Sequence, residues 1–182
     1  MTKLPGHNGW LMLVPVTAWL LAFACTQSEP GREPGRDAEV FASLEETNKA
    51  LLETEEQEIL DFIDRYGWDM RETGSGLRYM IFQDGTGEAA ARGRIAIVDY
   101  SIRLLTGDLV YSSRDEDPLH FQIGRGGVES GLEEGILLMR EGDRAKFIMP
   151  AHLAHGVPGD GERIPKRAAI VYDVELIRLV DP

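Results

Sequence analysis

Cysteine is almost missing from this chain: Cys25 is the single one in 182 residues. That excludes an intrachain disulfide and every cysteine-rich zinc site. Runs of Lys or Arg are also missing, and 19 basic residues face 31 acidic ones, a formal net charge of −12. Such a field argues against a nucleic-acid partner. The longest apolar run, Trp10 to Ala24, has 15 residues, fewer than the roughly 20 that a membrane-spanning helix needs. What remains is ordinary for a folded domain. Hydrophobic residues make up 43%, and a chain of this length buries enough surface to fold without disulfides or metal. It has room for one domain with additions, or two small ones.

The short apolar run suits the core of a secretory signal peptide. Ala22 and Ala24 stand at the −3 and −1 positions before Cys25. This resembles a bacterial lipoprotein signal, in which the cysteine is lipidated and becomes the new N-terminus. An ordinary secretory signal with a chance cysteine is the alternative. The stretch from Thr26 to Asp37, TQSEPGREPGRD, holds two Pro-Gly pairs and no large apolar residue, a linker composition. The expected organisation is a signal over 1–24, a lipidated Cys25 with a flexible tether to 37, a helix over 38–67 and a domain over 75–182. The expected location is the cell envelope, anchored by lipid in the outer membrane with the domain in the periplasm. After removal of the signal, 18 basic residues face 31 acidic ones, a net −13.

The 38–67 segment reads as an acidic amphipathic helix. Val40, Phe41, Leu44, Leu51, Leu52, Ile59, Leu60, Phe62 and Ile63 recur at helical spacing, with Asp37 or Ser43 as cap and Gly67 as stop. Glu45, Glu46, Glu53, Glu55, Glu56 and Glu58 are expected to form a solvated face. The stripe at 40, 44, 51, 59 and 63 is a candidate surface for a dimer or partner contact. Beyond Leu77 the period changes to two. Strands are expected over 77–82, 95–105, 109–113, 144–150 and through the final alternating run, with a short helix over 128–139. This pattern predicts a mainly antiparallel α+β domain.

The motifs SGLRY (75–79), DGTG (84–87), VDYSIRLLTGDLVYSSRD (98–115), GLEEGILLMREGDRAKFIMP (131–150), and IP (164–165) before AAIVYDVELIRL (168–179) occur in this order. Together they resemble the FKBP-type peptidyl-prolyl cis-trans isomerases. With the signal and the helix containing TNKALLETEEQEI (47–59), the chain resembles the gliding-motility-associated FKBP-type lipoproteins of Bacteroidota. The resemblance implies a bent antiparallel sheet wrapped around one short helix, with a proline pocket between them. It implies proline-containing polypeptide clients and no cofactor. It places Tyr100 at the pocket tyrosine of the long strand, Phe121 at the aromatic before a conserved-type glycine turn, and Val128 at the start of the helix. Ile164 falls on the loop isoleucine, and Tyr172 on the aromatic of the last strand, commonly Phe.

The sequence departs from the family pattern at several of these positions. Val110 and Tyr111 stand in VYSS where FDSS is usual, so a ring and an aspartate are replaced. Glu129 stands where an apolar residue supplies a backbone N–H to ligand. Leu132 replaces the floor tryptophan, Leu119 stands where an aromatic is common, and His155 replaces the tyrosine that donates to the substrate carbonyl. Neutral histidine can still donate through a ring N–H. Tyr100, Phe121, Leu132 and Tyr172 also fit plain core positions, and Phe121 fits that role better. Isomerising an X–Pro amide requires neither nucleophile nor metal, only a pocket that binds the twisted bond better than the planar one. Reduced activity is expected, with a proline-binding or chaperone-like adaptor as the alternative. A weak zinc site from His152 and His155 near Asp160 and Glu162 is a further alternative.

Overall fold

The computed structural model describes residues Pro34–Pro182. The signal segment, Cys25 and the tether up to residue 33 lie outside the described residues. The chain divides into two units, residues 1–41 and 42–182, and among the described residues the strands lie in the second.

Helix α1 covers Pro34–Tyr66 and begins before the expected residue 38. A proline in the first helical turn has no N–H to lose, so Pro34 starts the helix where the composition suggests a tether. Asp37 and Ser43, expected as caps, therefore fall inside it. Gly67 ends it in the left-handed conformation, φ 62°. There the N–H of Trp68 reaches back to the carbonyl of Ile63, at 3.2 Å, in the manner of a glycine-terminated helix.

The apolar stripe of α1 is used only toward its C-terminal end. Ile59 and Phe62 are buried in a small cluster with Ile148, Ala169 and Val171, flanked by Trp68 and Met70, whereas Leu44, Leu51 and Leu52 stay exposed. On the acidic face Glu45, Glu46, Glu53 and Glu58 are exposed as expected, and two neighbours do more. Glu56 and Glu72 both pair with Arg78, whose side chain is only 5% exposed. Glu55 accepts the backbone N–H of Ala151 at 2.6 Å. A buried guanidinium demands a charge partner, so Glu55 and Glu56, half-exposed, also dock the helix.

Seven strands form one antiparallel sheet. They are β1 (Arg71–Glu72), β2 (Arg78–Gln83), β3 (Ile95–Leu104), β4 (Leu109–Ser112), β5 (Leu119–Gln122), β6 (Arg144–Met149) and β7 (Ile170–Val180). The order is β1-β2-β6-β7-β3-β4, with β5 paired to the first half of β3. The sequence pattern predicts five of these; β1 has two residues, too few to show alternation, and β5, as short as β4, lacks the hairpin turn that marks β4. The inward face of β3 carries Ala96, Val98 and Ile102, all buried, as period two requires. A register shift between Ile97 and Val98 interrupts its ladder with β7, the kind of irregularity that bends a strand.

Helix α2 is Ser130–Ile136, shorter than the expected 128–139. Glu129 has an extended backbone at its N-terminus, and Leu138 and Met139 already bond in tight turns to Gly135 and Ile136. Leu132 and Ile136 are fully buried in the main core with Phe147, Met149, Tyr172 and Val174. The helix can approach β6 because it carries glycine there. A Cβ on Gly135 would sit 2.5 Å from the Phe147 ring, and one on Gly131 would sit 2.9 Å from Met149.

Gly135→Ala is therefore expected to destabilise the domain by about 1–3 kcal/mol through overpacking. Urea unfolding of the two proteins measures this. An unchanged midpoint would mean that the ring has space to move aside.

Candidate active site

The side chains that face each other between α2 and the bent sheet enclose a cleft of about 570 Å³. It is lined by Tyr100, Ile102, Tyr111, Leu119, Gly127, Val128, Glu129, Ala154, His155, Asp160 and Tyr172. β3 supplies Tyr100 and Ile102, β4 supplies Tyr111, and β7 supplies Tyr172. The loop before α2 supplies Val128 and Glu129. That loop is held by Glu133, whose Oε1 accepts the N–H groups of Gly124 and Gly126 at 3.1 and 2.9 Å. His155 follows the short 3₁₀ turn Ala151–Leu153, which Glu55 of α1 anchors through Ala151.

The sequence-predicted site residues divide into two sets. Tyr100, Tyr111, Val128, Glu129, His155 and Tyr172 line the cleft. Val110, Phe121, Leu132 and Ile164 lie behind it in the buried core, against which Tyr100, Tyr111, Leu119 and Val128 pack. Those four shape the cleft from beneath and are not among its lining residues. Val110 and Leu132 are smaller than the rings expected there, and the core closes over both. Asp160 also lines the cleft, where sequence reasoning weighed it only as a zinc ligand.

Each tyrosine hydroxyl in the cleft donates to a carboxylate. Tyr100 bonds Glu116 at 2.9 Å, Tyr111 bonds Asp160 at 2.5 Å, and Tyr172 bonds Glu129 at 3.0 Å. The same Glu129 Oε1 lies 2.9 Å from His155 Nε2. Three departures from the family pattern, Glu129, His155 and Tyr172, thus form a single polar cluster. A carboxylate with its side chain only 13% exposed requires such partners. The aspartate missing at position 111 has an equivalent of another origin, since Tyr111 brings Asp160 to the rim. Arg163 lies over the Tyr111 ring, 5.0 Å from its centroid, and donates to the carbonyl of Val110 at 2.7 Å.

His155 thus lines the cleft with its Nε2 against the Glu129 carboxylate. His152 turns elsewhere, with Nε2 2.9 Å from the carbonyl oxygen of Ser75. Among the described residues, no group of three or more His, Cys, Asp or Glu is placed to hold a metal, so the two histidines do not form the zinc pair considered from their spacing.

Burial and the bond to Glu116 push the Tyr100 phenol up to about 12. The bond to Asp160, then burial, does the same for Tyr111. Burial, with the Glu129 charge beside it, raises Tyr172 further still. Burial acts to raise Asp160, but the Tyr111 hydroxyl and the N–H groups of Glu162, Ile164 and Arg163 outweigh it and hold the carboxyl down at about 2. All three hydroxyls therefore stay protonated throughout the neutral range. The cleft offers an aromatic and aliphatic surface, a buried carboxylate and an imidazole, with no activated nucleophile.

Comparison with known proteins matches this fold. The FKBP-type peptidyl-prolyl cis-trans isomerase family matches over residues 86–177. The chain is 34% identical over 114 residues to the probable FKBP-type peptidyl-prolyl cis-trans isomerase FkpA of Neisseria meningitidis serogroup B, covering 62% of this chain and 41% of that protein. It is 34% identical over 107 residues to an FK506-binding protein of the same organism, covering 58% of this chain and 98% of that protein. The crystal structure of FkpA from Escherichia coli shares the fold with a TM-score of 0.63 at 26% identity, over 81% of this chain and 69% of that one. The chain spans about two fifths of the FkpA relative from Neisseria and nearly all of the smaller FK506-binding protein.

A carboxyl held below its ordinary value in the fold stabilises the fold above its unfolded pKa, and that stability is lost as pH falls through the folded value. The stability difference between the parent and Asp160→Asn is therefore expected to be full above the reference 3.8 and to close as pH falls toward about 2. Thermal melts across this range read it. A gap that stays constant with pH would show that the Asp160 charge contributes nothing.

Proposed function

The chain belongs to the FKBP-type peptidyl-prolyl cis-trans isomerase family, and on that premise we propose that its cleft isomerises X–Pro bonds in exported polypeptides. The observation that carries this reading is the convergence of Tyr100, Tyr111, Val128, His155 and Tyr172 on one cleft of about 570 Å³. Twisting an amide sacrifices resonance, a barrier of about 18–20 kcal/mol. The twisted carbonyl carries less charge separation than the planar one, so a surface poor in water favours it. Ile102, Leu119, Val128 and the rings of Tyr100 and Tyr172 provide that surface. The tyrosine hydroxyls are already satisfied by carboxylates, so a substrate carbonyl competes for them instead of finding them free. This supports catalysis slower than a pocket with unengaged donors would give.

The same proposal covers placement. The protein is a lipid-anchored member of the cell envelope, fixed through Cys25 in the outer membrane with its domain in the periplasm. Support comes from Ala22 and Ala24 before Cys25, from the Pro-Gly linker after it, and from the order of signal, acidic helix and domain. That order is the one by which the chain resembles the gliding-motility-associated FKBP-type lipoproteins.

Exchange spectroscopy on a Leu-Pro peptide with the full chain in detergent tests the activity. Acceleration above background is expected. Tyr100→Ala is expected to reduce it about tenfold or more, because the ring is part of the wall that selects the twisted amide. His155→Ala is expected to reduce it less, since its Nε2 lies against Glu129 and it would act on substrate only through a hydrogen bond. No acceleration at all leaves the proline-binding reading. For the anchor, mass spectrometry of the chain made in a lipoprotein-processing bacterium is expected to find acyl chains at residue 25, and Cys25→Ser to leave the detergent phase on partitioning. An unmodified Cys25 would remove the anchor from the proposal.

A further inference from the structure

We propose that Glu129 makes this pocket select prolines preceded by a basic residue. The inference rests on the isomerase reading above and deepens it by naming the substrate class. The isomerising amide joins the proline to the residue before it, so that residue is held at the cleft whatever the rest of the polypeptide does. What it meets there is negative.

Glu129 lies in the wall of the cleft beside Val128 and Leu119. Both of its close side-chain contacts fall on Oε1, a hydrogen bond from Tyr172 and the approach of His155 Nε2. Among the described residues, Oε2 has no partner. The other charged groups at the rim come from two further segments. Glu116, after β4, receives the Tyr100 hydroxyl. Asp160, in the loop before β7, receives Tyr111 and three backbone N–H groups. Arg163, in the same loop, is occupied by the Val110 carbonyl and the Tyr111 ring. No Lys or Arg lines the cleft itself. Asp160 and Arg163 are thus occupied by other groups, while Glu129, its side chain only 13% exposed, keeps an open acceptor. A lysine or arginine before the proline meets that acceptor. A glutamate there meets a like charge.

The test compares three peptides that carry lysine, leucine or glutamate before the proline, using the full chain in detergent at about pH 8 in low salt. In kcat/KM, the lysine peptide is expected to exceed the glutamate peptide about tenfold, with leucine between. The ratio should shrink at about 1 M salt and fall close to one in Glu129→Gln. Equal rates for lysine and glutamate with the parent chain would overturn the proposal, as would a ratio that Glu129→Gln leaves unchanged. Should that variant not fold, a parent ratio insensitive to salt overturns it equally. If no peptide is turned over, the isomerase reading fails separately. Chemical-shift titration with the same peptides then decides the charge preference, and tighter binding of the glutamate peptide would sink it.

Discussion

Helix α2 lies so close to β6 that positions 131 and 135 have no room for a side chain. A Cβ at either would enter the van der Waals volume of Met149 or the Phe147 ring. This close approach lets Leu132 and Ile136 reach the core, where neither retains measurable exposure. It also fixes where the N-terminus of α2 points. Val128 and Glu129 precede that terminus, so the wall of the cleft inherits its position from a packing contact on the other side of the helix. Glu133 adds a second restraint by gathering the N–H groups of Gly124 and Gly126. Because cores are packed to crystal-like density, a displacement at Phe147 would be felt at Glu129.

On that framework the cleft is built from pairs of hydroxyl and carboxylate. Tyr172 is buried in the core to its ring and yet finds an acceptor, which is what a buried phenol requires. The acceptor is the glutamate that stands where the family pattern has an apolar residue. Taken singly, Glu129, His155 and Tyr172 look like three independent losses. Together they satisfy one another, and Glu129 is the member whose loss would leave the buried Tyr172 hydroxyl without its acceptor, which costs about 1–3 kcal/mol. Tyr111 and Asp160 follow the same logic from two different loops.

The docking of α1 shows a related coupling. Arg78 in β2 is nearly inaccessible, and its charge is balanced by Glu56 from the helix and Glu72 from β1. Glu55, one residue earlier, binds the backbone at Ala151, and the same short turn leads to His155. The helix thus has a line of physical contact to the cleft, even though the apolar residues Leu44, Leu51 and Leu52 on its earlier turns remain exposed.

Much of this was legible in the residues. The alternation of Ala96, Val98, Tyr100, Ile102 and Leu104 identifies a strand and its inner face because the side-chain period of a strand is two. The order of motifs identifies the family, and with it Tyr100, Tyr111, Val128, Glu129, His155 and Tyr172 as the residues to examine. Strand β1 was not legible, its two residues being too few to show a period, and β5, as short as β4, has no preceding hairpin turn to mark it. Pro34 was misleading, because the same residue marks a linker by composition and a helix start by geometry. The acidic face of α1 read as solvated because nothing local distinguishes Glu55 and Glu56 from their neighbours. Sequence by itself determined the periodicities and the chemical identity of the groups, since both are local properties. Only the tertiary structure decided which groups meet. The pairing of Glu129 with Tyr172, separated by 43 residues, and of Tyr111 with Asp160, separated by 49, depends on long-range packing that no local spacing encodes.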